Sequence, residues 1–306
     1  LLVLALAAAC AVYWPGLSGP FLFDDYSNLM VVNDWQAGKQ GFLVTLLPNA
    51  SSLLYSRPLS MASFMLSAWL GGGDPFAYKL GNLLVHLACG GMVFTVLRRA
   101  LAADRTLSTH ACLCAGFLAA AWLLHPLHAS TVLYAVQRMA QLSTLFTLLA
   151  VATYFVGRQR LAVGQSALAA VILFAVFPVL LVLGLLSKQN AAIAPFLCLV
   201  FELAYFSGHH RHRRMVHAFF ALFVVLPLLA VSAILLMAPH SLLGEYANWD
   251  FTLGQRLLTQ PRALMDYIGL TLAPNGPRMG IYTDDFPVST SLLDPPGTLF
   301  ALGALI

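Results

Sequence analysis

Seven apolar runs, each long enough or nearly long enough to cross a membrane, constrain the fold of this chain more than any other feature. A helix of about 20 apolar residues spans a hydrocarbon core of about 30 Å and satisfies its backbone hydrogen bonds internally. With 60% hydrophobic and 9% charged residues, the chain lacks the roughly one quarter of charged residues that a soluble domain carries. We therefore predict an all-α fold, a polytopic membrane helical bundle. The runs lie near residues 1–14, 77–97, 109–124, 140–157, 166–186, 191–207 and 215–238, and an eighth begins near Thr298.

Three segments are predicted along the chain. Residues 1–238 form a transmembrane core with a first outer loop at about 15–76, residues 239–297 form an extracytoplasmic loop, and residues 298–306 begin a further span. Within the second segment, polar and apolar residues alternate from Gln255 to Leu272 in the manner of an interfacial helix. The chain starts at Leu1 inside one apolar run and stops inside another, so it is expected to be a fragment.

Basic residues predict which side each connection faces. The connections after the second, fourth and sixth spans are arginine-rich, and the positive-inside rule makes them cytoplasmic. Among the twelve acidic residues, all but Asp104 and Glu202 fall on the opposite side. This segregation favours chemistry on the extracytoplasmic face. The basic residues concerned are Arg98, Arg99, Arg105, Arg158, Arg160 and the run from His209 to Arg214.

Several classes of function are disfavoured. The basic run is short and lacks interleaved aromatic residues, so it predicts membrane anchoring and no nucleic-acid partner. Phosphate-loop, zinc-protease and serine-hydrolase motifs do not occur in the sequence. The cysteines all lie in apolar segments without metal-site spacing, and we interpret them as packing residues. They are Cys10, Cys89, Cys112, Cys114 and Cys198.

An acidic pair opens the first outer loop. Asp24 and Asp25 directly follow the first span, so they are expected near the membrane surface. A carboxylate there can act as a general base toward a hydroxyl or ligate a metal ion. The alternative is that one of them caps a short helix beginning at Tyr26.

Polar residues also line the start of the second span. Lys79, Asn82 and His86 share one helical face, and the cost of exposing them to lipid predicts that this face points into the bundle. They are candidates for substrate binding, while hydrogen bonding between helices is the alternative.

Four further candidates follow. His125 and His128 have the spacing of a histidine pair, but no third metal ligand lies nearby in the sequence. Arg138, before the fourth span, is a natural partner for a phosphate or a snorkelling residue at the interface. Lys188 is a cation on a short outer connection, where it opposes the positive-inside trend. An anionic lipid-linked ligand would favour it there, and simple interfacial anchoring is the alternative.

Four blocks resemble the polytopic type C glycosyltransferases, in particular the transmembrane and tetratricopeptide-repeat proteins related to protein O-mannosyltransferases. They cover most of residues 20–205, in the order of that family. They read FLFDDYSNL from Phe21, SRPLSMASFMLSAWLGGGDPFAYKLGNLLVHL from Ser56, HPLHASTVLYAVQRMAQLSTLFTLLA from His125 and LLSKQNAAIAPFLCLVFEL from Leu185.

The resemblance implies an inverting enzyme that transfers a sugar from a polyprenyl-phosphate carrier to an extracytoplasmic protein or glycan. It implies a catalytic base in the acidic pair, for which we favour Asp24. Arg57, within the second block, joins Lys79, Asn82, His86, His125, His128, Arg138 and Lys188 as predicted substrate-binding residues. No cofactor is then obligatory, although some type C enzymes use a divalent metal ion.

This chain departs from the family in three respects. Ser130 and its neighbours lack the carboxylate of the usual HPxHxExV motif, Lys79 stands where histidine is common, and the tetratricopeptide repeats are absent. The main alternative function is a transporter or flippase of lipid-linked sugars, and a non-catalytic scaffold is a third. The composition favours a bacterial inner membrane, with the active site on its periplasmic face.

Overall fold

The computed structural model describes residues 1–49, 52–104, 106–206, 213–238, 244, 249–280 and 286–305. Within these ranges the regular structure is helical and contains no strand, so the predicted all-α fold is confirmed. Two predicted features lie outside the described residues: Arg105 and the run from His209 to His212.

We number the helices in chain order. They are α1 (Leu2–Tyr13), α2 (Asp24–Gln36), α3 (Phe42–Leu46), α4 (Leu53–Ser56), α5 (Pro58–Gly71), α6 (Pro75–Ala103), α7 (Ala111–Leu123), α8 (His128–Leu133), α9 (Arg138–Ala162), α10 (Ser166–Leu185), α11 (Gln189–Phe206), α12 (Arg214–Met237), α13 (Leu253–Leu272) and α14 (Gly297–Leu305). A 3₁₀ turn, Ala135–Gln137, leads into α9.

Five of the described helices are long and apolar enough to cross a membrane, namely α6, α9 with its leading turn, α10, α11 and α12. They match five of the seven predicted runs, and the chain is an integral membrane protein. The runs at 1–14 and 109–124 instead form the shorter helices Leu2–Gly16 and Ser108–Leu123. At 1.5 Å per residue, Ser108–Leu123 reaches about 24 Å, short of a hydrocarbon core of about 30 Å. The two runs are predicted to be long enough or nearly long enough to cross, and that they span stays a prediction.

Local sequence explains where α6 begins. The Asp74 side chain accepts a hydrogen bond from the backbone N–H of Phe76 (2.9 Å), and Pro75 occupies the first helical position. Proline is tolerated there because its missing N–H would have no partner within the helix. Just before this cap, Gly72 ends α5 in the left-handed conformation with φ 63°, which glycine adopts without strain.

The chain divides into two compact units, Leu1–Val224 and Val225–Ile306. The predicted segment boundaries at 238 and 297 stay predictions.

In the first unit, one apolar cluster joins α2, α5, α6 and the start of α9. Its buried members include Leu29, Val32, Phe64, Tyr78 and Met139. This cluster supports the acidic pair at the start of α2.

The second unit contains α13 and α14. The Thr252 side chain and Gln255 form a capping box at the start of α13, an arrangement that satisfies helical N–H groups without intrahelical partners. Leu257, Leu264 and Ile268 are exposed along this helix. Such an apolar stripe agrees with an interfacial helix, which stays a prediction.

Candidate functional site

Asp25 is a buried anchor that ties the outer loop to the start of α9. Its carboxylate accepts hydrogen bonds from the backbone N–H groups of Leu22 (3.0 Å), Ala135 (3.3 Å) and Val136 (2.7 Å). Burial raises the pKa of this carboxyl, while these backbone donors and the charge of Lys79 oppose the rise. With its oxygens occupied by the backbone, Asp25 is placed to hold the site together.

Asp24 presents an exposed carboxylate beside this anchor. Its backbone N–H donates to the Tyr134 hydroxyl (2.9 Å), which places that hydroxyl beside the Asp24 side chain. The helix begins at Asp24 itself, without a side-chain cap, so neither aspartate caps a helix starting at Tyr26. The carboxylate therefore stands at an open helix N-terminus, where the helix dipole favours negative charge.

Two residues of the outer loop, one beside Asp24 and one between α4 and α5, have a strained backbone conformation. Among the described residues, Phe23 (φ 33°) and Arg57 (φ 49°) are the non-glycine residues with positive φ. Phe23 immediately precedes Asp24, and Arg57 lies at the junction of α4 and α5. Such conformations cost about 1–3 kcal/mol each and concentrate at functional sites. The strain therefore identifies Phe23 and Arg57 as candidate functional positions. Both residues also lie within the sequence blocks that resemble the type C glycosyltransferases.

The polar stripe of α6 lies inside the bundle, and its hydrogen bonds run to the protein. The Lys79 ammonium donates to the carbonyls of Gly19 and Pro20, both at 2.8 Å. The Asn82 amide donates to the carbonyl of Tyr134 (2.9 Å). A ring nitrogen of His86 lies 3.0 Å from the Leu123 carbonyl. These contacts fit the alternative in which the stripe joins helices and loops; substrate binding by the stripe stays a prediction.

Arg138 is packed at the centre of the same network and is only 3% exposed. Its guanidinium donates to the Asn82 side chain (2.9 Å), to the Ser63 carbonyl (2.9 Å), to the Ser67 hydroxyl (2.7 Å) and to the Tyr78 carbonyl. A guanidinium engaged in this way has little capacity left for a phosphate. The contacts give Arg138 a scaffold role, and its predicted contact with the phosphate stays a prediction.

Gly81 provides the space for this guanidinium, which leads to a stability prediction. A Cβ at Gly81 would overlap Nη2 of Arg138 and lie 2.7 Å from its Cζ. The guanidinium cannot move away without losing its hydrogen bonds. Gly81→Ala is therefore expected to lower the free energy of unfolding by about 1–3 kcal/mol, measured by steric trapping in bicelles.

Gly91 is the matched control, because it lies on the same helix and a Cβ there would meet nothing within 4 Å. Gly91→Ala is expected to leave stability unchanged or to raise it by up to about 1 kcal/mol, since alanine is the better helix former. Equal stability of the two alanine variants would contradict the proposed packing.

The two predicted histidines belong to an aromatic cluster. The His128 ring lies 4.4 Å from the Trp122 ring and 5.0 Å from the His86 ring, and the His125 ring is 6.4 Å away. Burial lowers the pKa of His128 to about 4, with smaller contributions from His86 and His125. His128 is therefore neutral near pH 7. Within the described part of the chain, no group of three or more potential ligands could hold a metal ion.

Lys188 and Arg57 meet at the turn between α10 and α11. The Ser60 hydroxyl donates to the Ser187 carbonyl (2.9 Å), and the Leu59 N–H donates to the Leu186 carbonyl (3.2 Å), which ties α5 to this turn. Burial lowers the pKa of Lys188, and the neighbouring charge of Arg57 lowers it further. Neither cation forms an ion pair with a carboxylate of the described chain.

One segment, residues 134–143, connects the acidic and basic groups. Tyr134 contacts Asp24, the Met139 sulfur accepts from Nη1 of Arg57 (3.2 Å), and the Ser143 hydroxyl donates to the Lys188 carbonyl (3.1 Å). Tyr134 and Met139 are separated by a single 3₁₀ turn and the first residues of α9, so the contacts to Asp24 and Arg57 are close along this segment. The site thus has a carboxylate and two cations supported by one element.

Tyr134 was not predicted from the sequence. It lies within the third block, but the pattern of apolar residues around it does not distinguish it from other tyrosines at a membrane interface. Its hydroxyl becomes informative only because folding brings α2 and the start of α9 together.

Comparison with known proteins supports the resemblance. Protein O-mannosyl-transferase TMTC2 of Mus musculus is 32% identical over 155 residues, which are 48% of this chain and 18% of the relative. Protein O-mannosyl-transferase tmtc2 of Xenopus laevis is 33% identical over 50% of this chain and 18% of its own length. Protein O-mannosyl-transferase TMTC3 of Mus musculus is 26% identical over 68% of this chain and 22% of its own length. The predicted resemblance is confirmed.

These relatives are much longer than the matched region. The chain spans about a fifth of the length of the curated relatives it matches. No family model and no solved structure matches the chain.

Proposed function

We propose that this chain is the membrane-embedded part of an inverting glycosyltransferase. It takes a sugar from a polyprenyl-phosphate carrier and transfers it to a hydroxyl group of a protein, or of a glycan, on the extracytoplasmic face. The names of the relatives support mannosyl transfer to protein as the first activity to assay. The bacterial inner membrane remains our prediction for its location.

The observation that carries the proposal is the unequal environment of the two aspartates. Asp25 is buried with three backbone N–H donors, whereas Asp24 is exposed and beside the Tyr134 hydroxyl. A general base must reach its substrate, and a fixed neighbour improves its positioning. We therefore assign the base to Asp24 and its positioning to Asp25.

The reaction then balances without a further reactant. Asp24 accepts the proton of the acceptor hydroxyl as that oxygen bonds to the anomeric carbon from the face opposite the phosphate. The bond between the anomeric carbon and the phosphate oxygen breaks, and the lipid phosphate leaves with the electron pair. Lys188 and Arg57 stabilise the negative charge that develops on the leaving phosphate. A divalent cation is the alternative means of stabilisation, and activity in the presence of a chelator separates the two.

The test uses the full-length protein in proteoliposomes, supplied with a polyprenyl-phosphate mannose and a serine- and threonine-containing acceptor peptide. The expected product is a glycosylated peptide with inverted anomeric configuration. A flippase would instead move the labelled lipid between leaflets and leave the peptide unmodified. That result would refute the proposed transfer and support the transporter.

The lowered pKa of Lys188 predicts a pH dependence of carrier binding. Only the protonated amine attracts the phosphate, so affinity is complete below the pKa of Lys188 and falls as pH rises through it. Because burial and Arg57 lower that pKa, the loss is expected below the pH at which an ordinary lysine would lose its charge. The measurement is KM for the lipid-phosphate sugar between pH 7 and about pH 10.5.

Lys188→Arg is the diagnostic variant, because arginine keeps its charge throughout this range. It is expected to flatten the alkaline rise in KM, while Lys188→Gln raises KM about tenfold at pH 7. Lys39→Gln serves as the control, since Lys39 is exposed and lies 3.9 Å from its partner Asp34. An unchanged pH profile in Lys188→Arg would remove Lys188 from the phosphate site.

A further inference from the structure

A second cationic site lies at the other end of the α6 and α9 helices. There a cavity of about 280 Å³ is lined by Arg99, Val156, Gln159, Arg160 and Val163. Arg138 and Arg160 are 22 residues apart on α9, or about 33 Å along its axis. The cavity is therefore remote from the proposed catalytic groups, and its role is independent of them.

The two arginines of the cavity have hydrogen-bonding capacity to spare. Arg99 donates through Nη1 to the Gln159 side chain (3.0 Å), while its Nε is buried without an acceptor in the described chain. Arg160 donates through Nη1 to the Gln165 side chain (3.0 Å) and is exposed. Neither one pairs with a carboxylate of the described residues.

Arg158, two residues before Arg160, shows the contrast. Its Nε and Nη2 form a bidentate pair with the Glu202 carboxylate at 2.7 and 2.8 Å, and it is only 3% exposed. The same end of α9 thus carries Arg158, which a carboxylate neutralises, and Arg160, which lines the cavity and has no carboxylate partner in the described chain. Arg99 and Arg160 have no carboxylate partner in the described chain, and the Nε of Arg99 is buried without an acceptor. Guanidinium groups in this state can bind an anion with several acceptor oxygens.

The walls and position of the cavity indicate which anion. Val156 and Val163 supply an apolar lining, which a hydrated inorganic ion would not use. The cavity lies where two membrane-spanning helices end, on the arginine-rich side predicted to be cytoplasmic. Basic pockets between helices at that level suit the headgroups of anionic lipids. We propose that this cavity binds the phosphate headgroup of an anionic membrane lipid, with Arg99 and Arg160 as its ligands.

The experiment uses the full chain, purified in detergent and stripped of lipid. Thermal unfolding is followed during titration with phosphatidylglycerol, with phosphatidylcholine and with inorganic phosphate. Phosphatidylglycerol alone is expected to raise the melting temperature in a saturable way. An equal rise with phosphatidylcholine, or with inorganic phosphate at the same concentration, would overturn the assignment to an anionic lipid.

Matched variants locate the effect. Arg99→Gln and Arg160→Gln are each expected to weaken phosphatidylglycerol binding about fivefold. Arg98→Gln makes the same charge change one residue away, where the guanidinium lies 6.0 Å over the Phe94 ring and does not line the cavity, and binding should be unchanged. Comparable losses in all three variants would show diffuse attraction and refute the site.

Val163→Glu provides a second arm that removes neither arginine. Val163 lines the cavity and is 67% exposed, so the substitution is compatible with folding and adds a carboxylate to the pocket. Loss of lipid binding with an unchanged lipid-free melting temperature is the expected result. Full lipid binding by Val163→Glu would place the lipid elsewhere.

Discussion

Asp24→Asn is expected to lower kcat for glycosyl transfer by about 10²–10⁴-fold, the usual contribution of a general base. The carboxylate is exposed, and the asparagine retains the backbone N–H that donates to Tyr134, so the melting temperature should not change. KM for the lipid-phosphate sugar should also stay similar, because the proposed phosphate contacts come from Lys188 and Arg57. The measurement is steady-state transfer by the reconstituted protein, with product identified by mass spectrometry.

Asp25→Asn separates positioning from catalysis. Its amide would turn one acceptor oxygen into a donor, which would face either the Val136 N–H or the N–H groups of Leu22 and Ala135. Loss of folding stability together with reduced kcat is therefore expected. Asp34→Asn, at a partly exposed acid on the same helix, should change neither quantity. Full activity of Asp24→Asn at equal expression would eliminate the proposed base, and full activity of Asp25→Asn would eliminate the proposed positioning.

Arg138→Ala is expected to lower the free energy of unfolding by about 3 kcal/mol or more, since it combines a cavity with acceptors that lose their partner. Four protein groups accept hydrogen bonds from this guanidinium, and it lies 5.2 Å over the Phe64 ring. Steric trapping in bicelles measures the change. Arg98→Ala, at an exposed arginine of α6, should alter stability by less than about 0.5 kcal/mol.

The pair Gly81 and Arg138 offers an internal check. If the alanine Cβ at Gly81 destabilises through the guanidinium, then Gly81→Ala should cost less in an Arg138→Ala background, and the two effects should not add. Arg138→Lys should not restore the wild-type stability, because an ammonium cannot reproduce the planar arrangement of donors. Wild-type stability of Arg138→Ala, with weaker binding of the lipid-phosphate sugar, would instead return Arg138 to the phosphate site.

The membrane class of this protein could be predicted from the sequence, because the apolar run of a spanning helix is a local property. The runs at 140–157 and 166–186 correspond to Ala135–Ala162 and Ser166–Leu185. The runs at 1–14 and 109–124 correspond to the shorter apolar helices Leu2–Gly16 and Ser108–Leu123. Hydropathy alone identified the apolar segments without determining which of them complete a span.

The sequence by itself determined that this chain is a bundle of membrane helices, and it located the acidic pair, the cations and the resemblance to O-mannosyl-transferases. These follow from residue types and their spacing. Only the tertiary structure decided which aspartate is buried, which arginine is engaged by the scaffold and which cations lack an acidic partner. The reason is that hydrogen-bond satisfaction depends on groups about 110 residues apart, such as Asp25 and the backbone at Val136, which folding alone brings into contact.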